Sequence, residues 1–260
     1  MRTNDYINRP LLCITGLAIG LLAQPAMAAP EEILVTARKY EENIQEIPIA
    51  VSAFTADNIE DLNLKSIDEI AKFTPGLSFT SAFGRQPGSD RPSMRGITTV
   101  VNGIANSSSV GYFVDGVYLS GSPQSTELFN LERVEVIKGP QAAQFGRGTY
   151  AGAINYITRK PSLTEYSGKI SASGANFSEA DVSGSFEGPI VSEKLAFRVG
   201  GRYYSRGSVF TSFDGGGLGE ESSKSVQLAL YFKPTEAWDI RFRAFNAQDE
   251  DGPLAGGIVQ

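Results

Sequence analysis

From Pro161 onward, apolar and polar residues alternate with a period of two, and the pattern recurs in five segments. In Ala180–Glu187 the apolar set is Ala180, Val182, Gly184 and Phe186, opposite Asp181, Ser183, Ser185 and Glu187. Leu195, Phe197, Val199, Gly201 and Tyr203 face away from Arg198, Arg202, Tyr204 and Arg206. Val226, Leu228, Leu230 and Phe232 oppose Gln227, Tyr231 and Lys233. Trp238, Ile240, Phe242 and Ala244 oppose Asp239, Arg241 and Arg243, and Lys169–Ser173 is a weaker first member. No helix places such residues on one face, so these are strands with two unlike sides. A soluble sandwich alternates in the same way. A transmembrane barrel is favoured because the polar side carries charges suited to a wet lumen. Tyr203, Phe232 and Trp238 also fall at strand ends, where interface girdles lie. Gly188–Lys194 and Pro234–Ala237 are short connections, whereas Gly207–Ser222 is long and glycine-rich. Short and long links fall on opposite sides, the brief Asn176–Glu179 link excepted, as in outer-membrane barrels.

The N-terminus carries an export signal. Arg2 and Arg9 form a basic region, residues 11–23 an apolar run, and Ala26-Met27-Ala28 a small-x-small cleavage site. An apolar run of about thirteen residues is too short to span a bilayer, which implies removal at residue 28. The single cysteine, Cys13, lies inside that run, and the chain has no histidine. The mature chain therefore offers no disulfide, no Cys/His metal, haem or cluster site, and no histidine-based catalysis. No cofactor and no enzymatic activity are expected. A net charge of −6 speaks against nucleic acid.

Residues 45–161 read as a compact α+β unit. Ile47–Phe54 is a strand, and a short helix over Ile59–Leu62 is capped by Thr55 or Asp57. Ser66 caps a better helix, with Glu69 completing a capping box and Ile67, Ile70 and Ala71 sharing a face. Asp115-Gly116 between Tyr112-Phe113-Val114 and Val117-Tyr118-Leu119 signals a tight hairpin. Arg133–Lys138 and Ala153–Thr158 make further strands. The glycines of Gly139–Gly148 fit no phosphate-binding spacing and are read as tight turns. Three Gly/Ser/Asn-rich stretches, residues 81–90, 98–109 and 119–126, are either solvated connections or loops that gather at one end to touch a ligand.

Just after the cleavage site, Glu31-Glu32-Ile33-Leu34-Val35-Thr36-Ala37 is β-prone, with no strand partner evident nearby. It is either the first strand of the domain or a handle whose unpaired backbone adds to another protein's sheet.

Taken in order, the motifs resemble the TonB-dependent outer-membrane receptors. They are the 31–37 segment, Ile47–Phe54, Arg91–Ile97, Val114-Asp115-Gly116-Val117-Tyr118, Glu132–Pro140, Phe145-Gly146-Arg147-Gly148 and Gly152–Thr158. Gln141-Ala142-Ala143-Gln144 departs from the glycine and threonine run common in that family. The resemblance implies a signal peptide (1–28), a TonB box and linker (29–44), an α+β plug domain (45–161) and the first strands of an incomplete transmembrane β-barrel (162–260). It implies active import of a large nutrient, foremost a ferric siderophore, across the Gram-negative outer membrane. The implied partners are outer-membrane lipid, a large extracellular ligand, and the periplasmic C-terminal domain of TonB, which would take Glu32, Ile33, Leu34, Val35, Thr36 and Ala37.

By the same resemblance, Arg95, Arg133, Glu135 and Lys138 pair with the inner barrel wall. Gly84, Arg85, Gln86, Asn102, Asn106 and Ser107 are the ligand-contact candidates. Enclosing a plug takes about 22 strands, and five are legible, so a fragment of a receptor is expected. The alternative is a soluble periplasmic plug-like binding module.

Overall fold

The computed structural model describes residues 33–81, 90–98, 109–119, 128–146 and 148–253. The signal segment and Glu32 lie outside them. Along the first half the elements are β1 (Leu34–Val35), β2 (Glu42–Asn43), β3 (Ala50–Thr55), α1 (Ala56–Asp61) and α2 (Ile67–Lys72). There follow β4 (Leu77–Ser81), β5 (Asp90–Met94), β6 (Ile97–Thr98), β7 (Val110–Val114), β8 (Val117–Tyr118), β9 (Leu131–Lys138), α3 (Ala142–Phe145) and β10 (Gly152–Thr158). The second half contains β11 (Ser167–Ala175), β12 (Glu179–Val191), β13 (Leu195–Arg206), β14 (Phe210–Thr211), β15 (Gly217–Leu218), β16 (Glu221–Phe232) and β17 (Ile240–Asp251).

A five-stranded sheet, ordered β3-β9-β10-β7-β8, is the spine of the first half. Only β10 and β7 run parallel; the other pairs are antiparallel. Alternation along these strands buries residues on both sides. Val134 and Val136 of β9, Ile154 and Tyr156 of β10, and Val110, Tyr112 and Val114 of β7 form one core with Ile59 of α1 and Ile67, Ile70 and Ala71 of α2. On the opposite side Ile137, Ala153 and Phe113 meet Val35, Ala37, Ile47 and Phe145. The sheet is therefore a middle layer, with helices on one face and the N-terminal segment on the other.

Local chemistry sets the helix ends. Thr55 caps α1 in a reciprocal arrangement: its hydroxyl accepts from the Asn58 amide, and the Asn58 side chain accepts from the Thr55 amide. At α2, Ser66 holds the cap position without a side-chain bond, and Glu69 instead accepts from the Lys65 amide at 2.6 Å. The capping box expected from the sequence is thus shifted by one residue. Asp115 and Gly116 both have positive φ (49° and 78°), the hairpin geometry that their sequence predicts. Arg95 and Gly96 make the same kind of turn between β5 and β6.

In the second half, β11, β12, β13, β16 and β17 form a five-stranded antiparallel meander of 9 to 13 residues per strand. Strands of about 9–11 residues suffice to cross a bilayer. Val182, Phe186, Val199, Tyr203, Val226, Phe232, Ile240 and Phe242 stand exposed on one face, more contiguous apolar surface than water-facing sheets tolerate. The other face turns Glu187, Arg198 and Tyr231 toward the plug sheet and buries them. Among the described residues this sheet does not close, and no helix is long and apolar enough to cross a membrane. The link from 207 to 220 contains the small β14–β15 hairpin, which the composition of that stretch did not announce.

Gly152 marks the tightest approach among the described glycines of the plug. A Cβ there would lie 2.1 Å from Met94 Sδ and 2.4 Å from the Ile137 carbonyl oxygen. The methionine can swing away, but the carbonyl is part of the β9 ladder. Gly152→Ala should cost about 1–3 kcal/mol, read as faster hydrogen exchange across β9 and β10. Unchanged protection would show that the strands can part there without penalty.

Candidate functional site

The N-terminal segment is not an open handle. β1 pairs antiparallel with β2, Leu34 opposite Asn43 and Val35 opposite Glu42, and the Ile44 amide donates to the Ile33 carbonyl at 3.0 Å. The expectation that it lacks a strand partner is thereby corrected. The reason is its own composition: Val35 and Ala37 are apolar enough to be buried completely against the plug sheet, and the backbone that follows them inward needs a partner. Arg38 Nε donates to Glu42 Oε2 at 2.7 Å and closes the hairpin; its guanidinium holds the Glu42 carboxyl below the usual carboxylate range. Lys39, in the left-handed region at φ 72°, lays its ammonium 4.6 Å from the Phe145 ring.

The hairpin is latched by a carboxylate. Glu135, in the middle of β9, is fully buried. Its oxygens accept from the Thr36 amide (2.8 Å) and the Thr36 hydroxyl (3.1 and 3.0 Å), and from Arg133 Nε at 2.8 Å. Asn155 Nδ2 on β10 donates to Thr36 Oγ1 at 3.4 Å. Arg133, Glu135 and Asn155 are the polar members of strands whose remaining inward positions are apolar. The side of β9 that carries Arg133 and Glu135 is thus the side covered by the N-terminal segment.

Of the four charges expected to meet the barrel wall, Arg133 and Glu135 are committed to each other, to Glu132 and to Thr36. Arg95 is exposed in the β5–β6 turn, its amide donating to the Gly76 carbonyl at 2.7 Å. Lys138 lies near it: burial, and secondarily the Arg95 charge, hold the Lys138 ammonium below its ordinary value.

Other residues join the plug to the five wall strands described. Lys65 Nζ, between α1 and α2, lies 2.5 Å from Glu179 Oε1 and 3.9 Å from Asp181 Oδ2 on β12. Glu60 of α1 pairs with Lys169 of β11. The wall carries its own cross-strand ladder, with Arg202 bidentate to Asp181 (2.8 and 2.7 Å) and Arg198 bonded to Glu187. Gly200 on β13 receives the Phe129-Asn130 turn of the plug: a Cβ there would sit 2.5 Å from Asn130 Nδ2 and 3.1 Å from Phe129. Glycine inside a strand is a signal of close backbone approach, and Gly200-Gly201 could have been read so. Nothing local marks Lys65 or Glu60, whose partners lie more than a hundred residues away. The ligand-contact candidates Gly84, Arg85, Gln86, Asn102, Asn106 and Ser107 fall outside the described residues. Among the described residues no cluster of metal-ligating side chains occurs.

Residues 43–153 match the family model of the TonB-dependent receptor plug domain. The chain is 30% identical over 217 residues to the vitamin B12 transporter BtuB of Vibrio vulnificus, covering 81% of this chain and 29% of that protein. It is 33% identical over 123 residues to the probable TonB-dependent receptor BfrD of Bordetella pertussis, covering 47% of this chain and 15% of the relative. In fold it is similar to the ferric yersiniabactin uptake receptor FyuA of Yersinia pestis (TM-score 0.70, 20% identity, 76% of this chain and 31% of that one). It is also similar to the pyoverdine receptor FpvA of Pseudomonas aeruginosa (TM-score 0.68, 17% identity, 83% and 30%). The chain thus spans less than a third of the length of these proteins. Residues 43–153 are a TonB-dependent receptor plug domain, and the antiparallel strands that follow them share the fold of the barrel wall in these receptors.

The latch makes a direct prediction. Thr36→Val preserves shape and β-branching but deletes the hydroxyl, and with it the side-chain bonds to Glu135. At about 1.5–3 kcal/mol for a hydrogen bond to a charged group, opening of the hairpin should rise on the order of tenfold to a hundredfold. Faster exchange of the Thr36 amide and faster tryptic cleavage after Lys39 would register it. Wild-type rates in both would mean that the apolar contacts of Val35 and Ala37 alone hold the segment.

Proposed function

We propose that this chain serves TonB-dependent active import of a large nutrient across the Gram-negative outer membrane, foremost a ferric siderophore. One observation carries the reading: Thr36, within residues 33–37, is held against the plug sheet by its amide and hydroxyl bonds to a single buried carboxylate, Glu135. Such a contact is firm at rest and breaks as a unit. On this reading the periplasmic domain of TonB adds a strand to β1, and backbone hydrogen bonds in register resist an axial pull together. The load passes from Thr36 through Glu135 into β9, which pairs with β3 and β10 and is therefore central to the plug.

The plug in turn rests on a wall whose outer face suits lipid and whose inner face is charged, which supports an outer-membrane location over a soluble periplasmic module. Residues 1–28 act as the export signal. The neighbouring cations Arg95 and Lys138 ask for acidic partners, which acids of the wall would supply. Cargo contact falls to the Gly/Ser/Asn-rich loops of the plug, with Arg85 favouring an anionic chelate. Relatives include a vitamin B12 transporter as well as siderophore receptors, so cobalamin is the competing cargo.

Val35→Pro tests the coupling step, because proline removes the amide donor and fixes φ in the segment that must pair. In the receptor with its complete barrel, uptake of labelled ferric siderophore should be abolished while surface binding of the same ligand persists. Wild-type uptake by Val35→Pro would remove residues 33–37 from the mechanism, and uptake of cobalamin in place of iron chelates would reassign the cargo.

A further inference from the structure

Charge is sorted between the two sides of the wall, with one exception. On β11, β13 and β17 the cations Lys169, Arg198, Arg202, Arg206, Arg241 and Arg243 all occupy inward positions. Four of them meet acids of the wall: Arg198 with Glu187, Arg202 with Asp181, Arg206 with Glu221 and Arg241 with Asp239. Lys224 on β16 stands on the opposite side. It is exposed, and it lies directly across from Tyr203 on β13 and Gln248 on β17. Among the described residues no acid pairs with it. Glu250, diagonal to it on β17, instead accepts from Gln248 Nε2 at 2.8 Å. Water is scarce along a lipid-facing surface, so such a cation draws its counter-charge from the lipid.

Its height on the wall decides what that charge can meet. Lys224 is the fourth residue of β16, near the long 207–220 link, and Phe232 closes the same face at the other end. The eight residue steps between them, at about 3.3 Å each and tilted by about 40°, put Lys224 roughly 20 Å above Phe232. An outer-membrane barrel carries an apolar band about 25 Å tall. Lys224 therefore sits just below the outer boundary of that band, and its stem carries the ammonium to the headgroups. Tyr203, directly across from it, is an aromatic of the kind that marks this interface. A lipid-facing cation is costly at the midplane and close to neutral at this height. One row closer to the midplane, Gly184 and Gly201 lie directly opposite each other and put no side chain above the backbone. The pairs Phe186–Val199 and Val182–Tyr203 wall this gap on its two sides, and Gly201 pairs with Val226, two residues from Lys224. A shallow apolar hollow thus opens beside the ammonium.

We propose that Lys224 docks the phosphate of an anionic lipid of the outer leaflet, with an acyl chain of that lipid lying in the hollow over Gly184 and Gly201. The proposal rests on the outer-membrane reading above and adds to it a lipid site of stated headgroup chemistry. A phosphate satisfies the ammonium through charge-assisted hydrogen bonds. An acyl chain fills space that no side chain of this face takes, and gains dispersion contacts there. A headgroup without net charge meets only the second of these conditions.

Native mass spectrometry of the delipidated complete receptor, titrated with lipid A bearing both phosphates, tests it. Sites elsewhere on the barrel contribute equally to wild type and variant and cancel in the comparison. Lys224→Gln should hold one lipid fewer at low lipid concentration, and should need about tenfold more lipid to reach wild-type occupancy. Lys224→Arg, which keeps the charge, should match wild type. With lipid A stripped of its phosphates, wild type and Lys224→Gln should bind alike. Excess inorganic phosphate, which has no acyl chain, should leave the lipid in place. Equal occupancy by phosphorylated lipid in wild type and Lys224→Gln would overturn the proposal. Displacement of the lipid by inorganic phosphate would assign the charge to a free anion, and a lipid-free dimer lost in Lys224→Gln would assign the face to a second copy; either overturns it. A spin label at Leu228→Cys, in a cysteine-free receptor in vesicles, checks the underlying reading separately. Greater accessibility to oxygen than to a water-soluble nickel chelate marks the face as lipid-facing. The reverse would remove the outer-membrane reading and the lipid site with it.

Discussion

A buried carboxylate governs the architecture of the plug. Glu135 sits in the second strand of a five-stranded sheet, fully removed from solvent, and a charge there is tolerable only if its oxygens are occupied. Arg133 supplies a counter-charge from the same strand face, and Thr36 supplies a backbone and a side-chain donor from the N-terminal segment. Removing one partner from such a site costs far more than the bond itself returns, because the remaining charge is left unpaired. The segment therefore docks on the sheet rather than trailing in solvent, and Val35 and Ala37 complete a second core beneath it. The opposite face is closed by α1 and α2 through ordinary apolar packing.

The two halves of the chain meet through contacts of a different kind. Within the plug the sheet is sealed by fully buried side chains such as Ile154, Tyr156, Ile67 and Ile70. Across the seam, the described contacts include partly solvated ion pairs, Lys65 with Glu179 and Glu60 with Lys169, a cation–π contact of Lys65 with Tyr204, and a steric seat at Gly200. Solvated ion pairs exchange readily for water and contribute about 0–1 kcal/mol each. A plug that is rigid inside and joined to these strands by such contacts can shift as a body, as the proposed coupling requires.

Sequence reasoning reached most of the fold because the signals it used are local. The two-residue alternation of Leu195–Arg206 or Val226–Phe232 depends only on the geometry of an extended chain with unlike surroundings on its two sides. The Asp115-Gly116 turn depends on the few residues that accept positive φ. Ile67, Ile70 and Ala71 share a face because a helix repeats every 3.6 residues. The Ser66 cap was displaced to the Lys65 amide because Glu69 reaches either neighbouring donor, and only the packed loop selects between them.

By itself, then, the sequence determined the longer strands of the plug sheet and the wall, the Asp115-Gly116 turn and which wall face is apolar, but not the short β2, β4, β5, β6, β14 and β15. Tertiary structure decided what lies opposite each polar residue. Glu135 reads as a charge that meets the barrel wall, yet the groups that satisfy it are Arg133 and, 99 residues earlier, Thr36. Lys65 meets Glu179 across 114 residues, and Glu60 meets Lys169 across 109. Periodicity reports the character of a face, polar or apolar, because that is a property of neighbours along the chain. The partner that satisfies a buried charge is a property of the assembled fold.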